Sequence, residues 1–375
     1  MSRVALSLFS GAGGLDAGVS QEGFETLACV EIDPHCCETL RSAASREARE
    51  TRIVEADVRD VDPVELMEEM GVAPGDLDLL CGGPPCQSFS QIGKMGALRD
   101  ERGLLLFEMA RFAEVFRPKA IFIEQVTGLL SARDKLGRRG EVLQMLLSDL
   151  DALGYAPKWK VVNSADYGVP QLRKRVFVVA TEKPNGFHFP DPTHGAEEGT
   201  ASLFSLRPYE TVGGAIGDLG SPSPKNGEVR EDSHTDVTPA GDRRRIHGVP
   251  EGSFLAAQTH LPKEQIGKLT KKDSTKFLRT ARRKPANTLR GGEVFFHPTE
   301  DRYLTPREYM RIHGYPDGYL LEGPIRGRSG SYRNLDQHRQ IANSVPPPVA
   351  RAIAGGIERA LSGECRKSLK SSDTA

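Results

Sequence analysis

The chain has 375 residues, of which 38% are hydrophobic and 27% are charged. This composition is typical of a folded protein and excludes a mainly disordered one, and the length allows two domains or one large domain with an insertion. The formal net charge is −1, so a polyanionic partner would have to be bound by a local basic patch rather than by the field of the whole protein.

The first half of the chain alternates apolar runs that are typical of strands with amphipathic segments that are typical of helices. The predicted strands are 4–9, 26–31, 52–56, 77–81, 120–124, 156–162 and 176–180. The predicted helices between them are 34–50, 63–70, 104–116 and 140–153. This alternation indicates an α/β domain with a mostly parallel sheet.

From about residue 183 the periodic pattern ends. Residues 184–300 are rich in proline, glycine, serine and charge, which predicts a separate, loop-rich module. Regular helices return at 305–313 and at 346–361, where Val349, Ile353 and Ile357 recur every four residues and indicate one buried face. The last dozen residues are predicted to form a frayed tail.

A glycine-rich turn, Phe9-Ser10-Gly11-Ala12-Gly13-Gly14, follows the first strand. Glycines at this point let the backbone approach a ligand closely. The spacing is not G-x-G-x-x-G, because position 16 is aspartate, so an NAD-dependent oxidoreductase fits poorly. The next two strands end in Glu31 and in Asp57-Val58, which are suited to ribose hydroxyls and an adenine ring. The turn and the two acids together predict a nucleoside cofactor.

Two prolines precede a cysteine just past the fourth strand, at Pro84-Pro85-Cys86. Because proline fixes φ, the thiol is held with little backbone freedom. The fifth strand ends in Glu124, and neighbouring parallel strands can bring both side chains to one cleft. A thiolate and a carboxyl group facing one cleft predict covalent catalysis with acid assistance. The alternatives are a proline-rich turn with a bystander cysteine and a surface carboxylate.

Basic residues occur at three further places. Arg173 and Arg175 head a strand at i and i+2, and alternation would point both to one side, toward a polar substrate or toward carboxylates. Arg243-Arg244-Arg245 and residues 268–284 lie in the loop-rich module, and the latter hold eight lysines and arginines against one acid. These stretches indicate either a solvated charged face or contacts with phosphates.

The six cysteines show no spacing typical of a disulfide framework, which favours reduced thiols and a cytosolic compartment. His35-Cys36-Cys37 lacks the spacing of a metal site, so no metal is expected. The apolar run at 4–9 is too short for the core of a signal peptide, and no run approaches the ~18 apolar residues of a membrane span. We therefore expect a soluble intracellular protein.

The order of these motifs resembles that of the cytosine-C5 DNA methyltransferases through nearly the whole chain. The matching runs include the turn at 9–14, Glu31, Asp57, Gly83-Pro84-Pro85-Cys86-Gln87-Ser88, Arg102-Gly103-Leu104-Leu105, Glu124-Gln125-Val126, Gln171-Leu172-Arg173-Lys174-Arg175, Leu304-Thr305-Pro306-Arg307-Glu308, Arg311, Gly314-Tyr315-Pro316 and Gln340-Ile341-Ala342-Asn343-Ser344-Val345. Residues 184–285 lack such motifs, as the target-recognition regions of this family do.

The resemblance implies an α/β, Rossmann-like class I methyltransferase fold with a mixed, mostly parallel sheet and a smaller, loop-rich target-recognition domain. Residues 1–183, completed by 338–361, would form the catalytic domain that binds S-adenosyl-L-methionine. Residues 184–337 would form the target-recognition domain and hinge, and 362–375 a disordered tail.

The resemblance also implies a mechanism. Cys86 would attack C6 of a cytosine flipped out of duplex DNA, which is otherwise unreachable in the stack. Glu124 would hold the N3/N4 edge, and Arg175 would bind O2 with support from Arg173. C5 would take the methyl group, lose its proton and release Cys86. Gln125 stands where the family usually has asparagine, so we expect its hydrogen bonds to nearby backbone to shift.

Two further sets of site residues are predicted. Those expected to bind the cofactor are Phe9, Gly11, Gly13, Gly14, Glu31, Asp57, Val58, Pro84 and Asn343. Those expected to contact DNA, with the basic residues mostly on phosphates, are Gln87, Ser88, Arg243, Arg244, Lys271, Lys272, Arg282, Arg283 and Thr288.

The expected partner is double-stranded DNA, and the expected state is a cytoplasmic monomer that is nucleoid-associated when bound to DNA. The enzyme would serve a bacterial restriction–modification system, alongside a cognate endonuclease that forms no stable complex with it, or act as an orphan methylase. Two alternatives are a tRNA cytosine-C5 methyltransferase of the same branch and a catalytically impaired regulator that binds DNA.

Overall fold

The computed structural model describes residues 2–85, 105–132, 138–182, 186–196, 206–224, 230–258, 274–327 and 333–363. Within these ranges, no helix is both long enough and apolar enough to cross a membrane. The predicted site residues Cys86, Gln87, Ser88, Lys271 and Lys272 lie outside the described residues.

The strands are β1 Arg3–Leu8, β2 Phe24–Glu31, β3 Arg52–Glu55, β4 Leu79–Gly82, β5 Ala120–Val126, β6 Tyr155–Asn163, β7 Gln171–Leu172, β8 Lys174–Glu182, β9 His194–Gly195, β10 Arg207–Pro208, β11 Ser223–Pro224, β12 Thr235–Asp236 and β13 Ala286–Asn287. The helices are α1 Gly14–Ser20, α2 Pro34–Arg46, α3 Pro63–Glu69, α4 Leu105–Phe116, α5 Glu141–Ala152, α6 Val212–Ile216, α7 Ala240–Ile246, α8 Pro306–His313, α9 Gln337–Asn343 and α10 Pro347–Leu361. Short 3-10 turns cover Val58–Asp60, Thr127–Ser131, Ser164–Tyr167 and Leu255–Ala257.

Seven strands form one sheet in the order β3-β2-β1-β4-β5-β8-β6. The strands β1 to β5 pair in parallel, whereas β8 runs antiparallel to both β5 and β6. The predicted α/β class with a mostly parallel sheet is confirmed. Since β8 runs against its neighbours, its first residues lie at the edge where β5 ends.

The chain divides into two compact units. The first comprises Met1–Asn163, Lys174–Asp191 and Val349–Ala375, and the second comprises Ser164–Arg173 and Pro192–Pro348. The predicted division therefore differs at three places, because 164–173 and 338–348 lie in the second unit and 184–191 lie in the first. The reason for the first difference is that β7 pairs with β13 there. Which function each unit serves stays a prediction.

The core of the first unit lies around the central strands. All four residues of β4 are buried, as expected for a parallel strand that is covered on both faces. Helix α4 contributes Leu105, Leu106, Met109, Phe112 and Phe116, which share one face and are buried. Helix α2 ends at Arg46 rather than at the predicted residue 50, and Ala48 just beyond it has a left-handed φ of 51°.

Gly82 lies at a closely packed point of this core. A Cβ atom at this position would lie 2.5 Å from the carbonyl oxygen of Leu8 and 3.0 Å from Sδ of Met109. Leu8 and Gly82 are register partners in β1 and β4. The close approach of these two strands therefore requires glycine here.

We predict that Gly82→Ala destabilises the protein by about 3 kcal/mol or more, because backbone atoms of β1 would have to move. Thermal unfolding of the variant and the parent measures the effect. Gly220→Ala is the matched control, since nothing lies within 4 Å of a Cβ atom there. Equal unfolding midpoints for the parent and Gly82→Ala would contradict the packing described for this strand.

Candidate active site

The turn after β1 has unusual backbone geometry. Gly11 and Gly13 have φ values of 54° and 71°, which glycine adopts easily, and Phe9 has a φ of 54°, which is rare for a residue with a side chain. Strained residues of this kind are concentrated at ligand sites. A Cβ atom at Gly11 would meet nothing within 4 Å, so open space adjoins the backbone there. Gly14 begins α1 directly after the turn.

Glu31, at the end of β2, fixes this turn. Its Oε2 accepts the backbone N–H of Gly11 at 2.7 Å, and its Oε1 accepts those of Ile32 and Asp33 at 2.9 and 2.8 Å. Burial raises the pKa of Glu31, while the three backbone donors act in the opposite direction. The carboxylate thus ties the end of β1 to the end of β2.

Asp57 and Val58 follow β3 at the same edge of the sheet. Asp57 caps the turn Val58–Asp60 and forms an ion pair with Arg59, with 2.6 Å between Oδ2 and Nη2. Val58 is buried, and its carbonyl accepts a hydrogen bond from Arg111. An apolar side chain and a carboxylate thus follow β3 at the edge of the sheet where the turn at 9–14 follows β1, which is the edge where open α/β sheets bind ligands.

Glu124 and Arg175 form the charged part of the site. Glu124, in β5, is 7% exposed, and its Oε1 lies 3.0 Å from Nε of Arg175. Arg175 pairs with Val126 in the ladder, so it is the diagonal neighbour of Glu124. Glu124 also lies close to the backbone just past β4, since a Cβ atom at Gly83 would lie 3.6 Å from Oε2 of Glu124. That Glu124 and Cys86 face one cleft stays a prediction.

Gln125 links β5 to the same run. Its buried amide nitrogen donates to the carbonyl oxygen of Pro84 at 2.7 Å. This is the kind of backbone partner that the sequence predicted for Gln125. Because Pro84 and Pro85 have restricted φ angles, one hydrogen bond at Pro84 constrains the direction in which the chain leaves β4.

The prediction for Arg173 is corrected. Arg173 lies between β7 and β8 and not within a strand, so the alternation that would place it beside Arg175 does not apply. It is 1% exposed and donates to the carbonyl oxygens of Ala342 and Ser344 at 2.9 and 3.0 Å. Arg173 therefore holds the segment around Asn343 within the second unit. Asn343 itself ends α9 and is exposed.

The predicted DNA contacts in the second unit differ in their surroundings. Arg243 pairs with Asp236, and Arg282 pairs with Glu251 at 2.9 Å, although both arginines are exposed. Arg244 and Arg283 are also exposed. The hydroxyl of Thr288 donates to the carbonyl oxygen of Leu172 at 2.9 Å and so joins β7 to the segment after β13, while its contact with DNA stays a prediction.

Asp16 is a buried acid that the sequence analysis treated only as a break in the glycine spacing. It lies in α1, is 8% exposed, and accepts a hydrogen bond from the thiol of Cys29 with 3.8 Å between Sγ and Oδ1. Burial raises the pKa of Asp16 from 3.8 to about 6, against a smaller opposing effect of the Ser7 hydroxyl. In the sequence, the sign of this role is that Asp16 is an acid among the apolar residues directly after the glycine-rich turn.

Comparisons with known proteins agree with this geometry. Residues 4–359 match the family model of C-5 cytosine-specific DNA methylases. The Type II methyltransferase M.NgoFVII of Neisseria gonorrhoeae is 33% identical over 358 residues, which cover 94% of this chain and 85% of that protein. The Type II methyltransferase M.AquIA of a Picosynechococcus species is 36% identical over 260 residues, which cover 66% of this chain and 100% of that protein.

One solved structure shows the shared fold. It is that of an E. coli prophage protein described as a DNA modification methyltransferase, with a TM-score of 0.70 and 21% identity. The superposition covers 96% of this chain and 100% of that chain.

We predict that Asp16→Asn gains stability relative to the parent as pH rises from 4.5 to 7.5. The pKa of Asp16 is raised from 3.8 in the unfolded protein to about 6 in the folded protein. At a pH low enough to protonate Asp16 in both, its carboxyl group does not lower the free energy of unfolding. As pH rises between these two pKa values, the ionised carboxylate increasingly lowers the free energy of unfolding, and above both values the loss reaches about 3 kcal/mol. Unfolding midpoints measured across this range test the effect. Asp60→Asn, at an exposed carboxylate, is the control. A difference in stability between Asp16→Asn and the parent that does not change with pH would contradict the prediction.

Proposed function

Because the chain belongs to the C-5 cytosine-specific DNA methylases, and is therefore an enzyme that methylates DNA, we propose that it transfers the methyl group of S-adenosyl-L-methionine to C5 of a flipped cytosine. The observation that carries this proposal is the buried Glu124 carboxylate, paired with Arg175 and close to Gly83, where the chain leads to Cys86. The acid and a cation thus lie at the edge of the sheet from which the chain leads toward Cys86.

The first step we propose is addition of the Cys86 thiolate to C6. A sulfur–carbon bond forms, and the electron pair of the C5–C6 double bond is displaced toward C5 and the ring. Glu124 holds a proton at N3, which stabilises the charge that develops, and the Arg175 guanidinium donates to O2. Arg175 has a side chain that is 16% exposed, so it can contact a bound base while it remains beside Glu124.

The second step makes and breaks the remaining bonds. C5 would form a bond to the methyl group as the bond between that methyl and the sulfonium sulfur breaks, with its electron pair kept by sulfur, and the C5 proton would then leave to a base. The electron pair of that C–H bond restores the C5–C6 double bond, and Cys86 departs as the thiolate. Gln125 supports both steps by holding Pro84, because a thiol that moves by about 1 Å loses its line of attack.

The residues around the turn at 9–14 fit S-adenosyl-L-methionine. When bound, this group supplies an electrophilic methyl on a sulfonium sulfur. The open space beside Gly11 admits a ligand, and Phe9 offers a ring at the end of β1. Glu31 already accepts three backbone donors, which leaves about one acceptor position of its carboxylate for a ribose hydroxyl. Asp57 and Val58 would face the adenine, and Pro84, Gly13 and Gly14 would complete the set in the first unit, while the role of Asn343 stays a prediction.

The substrate we propose is a specific duplex sequence read by the second unit. The two relatives compared above are Type II methyltransferases, which supports a role in a restriction–modification system. Arg244 and Arg283 are exposed cations that would position phosphates. Arg243 and Arg282 could exchange surface carboxylates for phosphates at small cost, because exposed ion pairs contribute little.

We predict that Cys86→Ser abolishes methylation and leaves DNA binding intact. The parent and the variant would be expressed in cells that lack cytosine methylation, and their DNA analysed by bisulfite sequencing. The parent should produce methylcytosine within one recurring sequence, and the variant none, while both shift the same duplex in a gel. Cys365→Ser is the control and should methylate as the parent does. Methylcytosine made by Cys86→Ser, or none made by the parent, would refute the proposed function.

A further inference from the structure

Arg111 connects helix α4 to the turn Val58–Asp60. Its Nη2 donates to the carbonyl oxygen of Val58 at 2.8 Å, and its Nη1 donates to that of Val61 at 3.0 Å. Its Nε donates to Oε2 of Glu108, which lies one helical turn earlier, at 2.6 Å. The guanidinium therefore uses both of its terminal nitrogens to hold backbone outside its own helix.

The helix that carries Arg111 is fixed on the sheet. Leu106, Met109 and Phe112 of α4 are buried in the core of the first unit. Met109 packs against β4, since its Sδ would lie 3.0 Å from a Cβ atom at Gly82. Because α4 cannot shift without disturbing this packing, the guanidinium extends from a rigid support.

The turn that Arg111 holds is weakly closed by its own backbone. It spans three residues, and the N–H of Asp60 donates to the carbonyl oxygen of Asp57 at 2.9 Å. The N–H of Val61 donates to the carbonyl oxygen of Val58 at 3.3 Å, which is long for such a bond. Short 3-10 turns have poor hydrogen-bond geometry, so contacts from outside do much to determine where they lie. The two charge-assisted bonds from Arg111 are contacts of this kind.

Hydrogen bonds within the first unit also join this segment to the turn at 9–14. The backbone N–H of Ala56 donates to the carbonyl oxygen of Glu31 at 3.0 Å, and the carboxylate of Glu31 accepts the N–H of Gly11 at 2.7 Å. Val58 is buried in the same core cluster as Leu8, the last residue of β1. A shift of the turn Val58–Asp60 would therefore change its position relative to a ligand that lies against the turn at 9–14.

We infer that Arg111 is a positioning residue that makes the cofactor site selective for adenine. The inference rests on the proposed function, in which Asp57 and Val58 face that base. An ionised carboxylate can only accept hydrogen bonds, so Asp57 suits the 6-amino group of adenine and repels a 6-oxo group. This selection requires the carboxylate to stay in one place, and Asp57 caps the turn that Arg111 holds. A segment that is ordered before binding also costs less to order during binding.

The test compares two ligands that differ at position 6 of the purine. Titration calorimetry of the full chain, without DNA and without turnover, gives dissociation constants for S-adenosyl-L-homocysteine and for S-inosyl-L-homocysteine, which carries a 6-oxo group. The parent should bind the adenine ligand more tightly. Arg111→Met keeps the apolar stem and removes the guanidinium. We expect it to reduce this preference by about tenfold, because two charge-assisted hydrogen bonds to the turn are lost.

A preference in Arg111→Met equal to that of the parent would overturn the inference, even if both ligands bind more weakly. Arg111→Lys is the second variant, should Arg111→Met not fold. Lysine keeps the charge but lacks the planar fork, so this variant should retain only part of the preference. The full parental preference in Arg111→Lys would count against the inference. Equal affinity of the parent for the two ligands would also overturn it, because the base would then not face Asp57.

Arg41→Met is the matched control. Arg41, in α2, pairs with Oε2 of Glu55 at 3.0 Å, and Glu55 is the last residue of β3. The variant removes an arginine beside the same strand and should keep the parental preference. A fall equal to that of Arg111→Met would reduce the effect to general loosening of β3 and overturn the inference. Failure of the proposed function is distinguishable, because the parent would then bind neither ligand and make no methylcytosine.

Discussion

A buried carboxylate that is paired with an arginine across two antiparallel strands is the interaction on which the site depends. Leaving Glu124 as an isolated buried charge would cost several kcal/mol, so its position is tied to that of Arg175. The pairing exists because β8 runs antiparallel to β5. In a parallel strand, a residue at the start would lie at the opposite edge of the sheet. The reversed strand thus supplies a cation at the edge where β1 to β5 deliver their functional residues.

The loops at this edge are held by side chains from neighbouring strands. Glu31 of β2 bonds the backbone of Gly11 after β1, and Gln125 of β5 bonds the backbone of Pro84 after β4. Each bond joins two segments that the sheet already brings together, so little further ordering is needed. The packing of Gly82 against Leu8 keeps β1 and β4 in register beneath both loops. The turn at 9–14 and the backbone at Pro84 are therefore positioned by one continuous sheet.

Much of the fold could be predicted from the sequence. The spacing of apolar residues indicates helices and strands, and the alternation of these elements indicates a mostly parallel sheet. The seven strands of the sheet were predicted within a few residues, and Glu124 lies in the predicted fifth strand, close to Gly83 just past β4. Arg173 was misplaced because alternation holds only inside a strand, and the strand begins one residue later. Asp16 and Arg111 have roles that depend on partners far away in sequence, such as the Val58 carbonyl, which no local pattern encodes.

The central claim is that Cys86 forms the covalent bond to cytosine, and trapping that bond tests it most directly. DNA copied with 5-fluorocytosine in place of cytosine would be incubated with the protein and S-adenosyl-L-methionine, because a C5 fluorine cannot leave as a proton does. We predict a protein–DNA complex that survives denaturation and whose peptide map places the attachment on Cys86. No such complex, or attachment at another of the six cysteines, would contradict the mechanism.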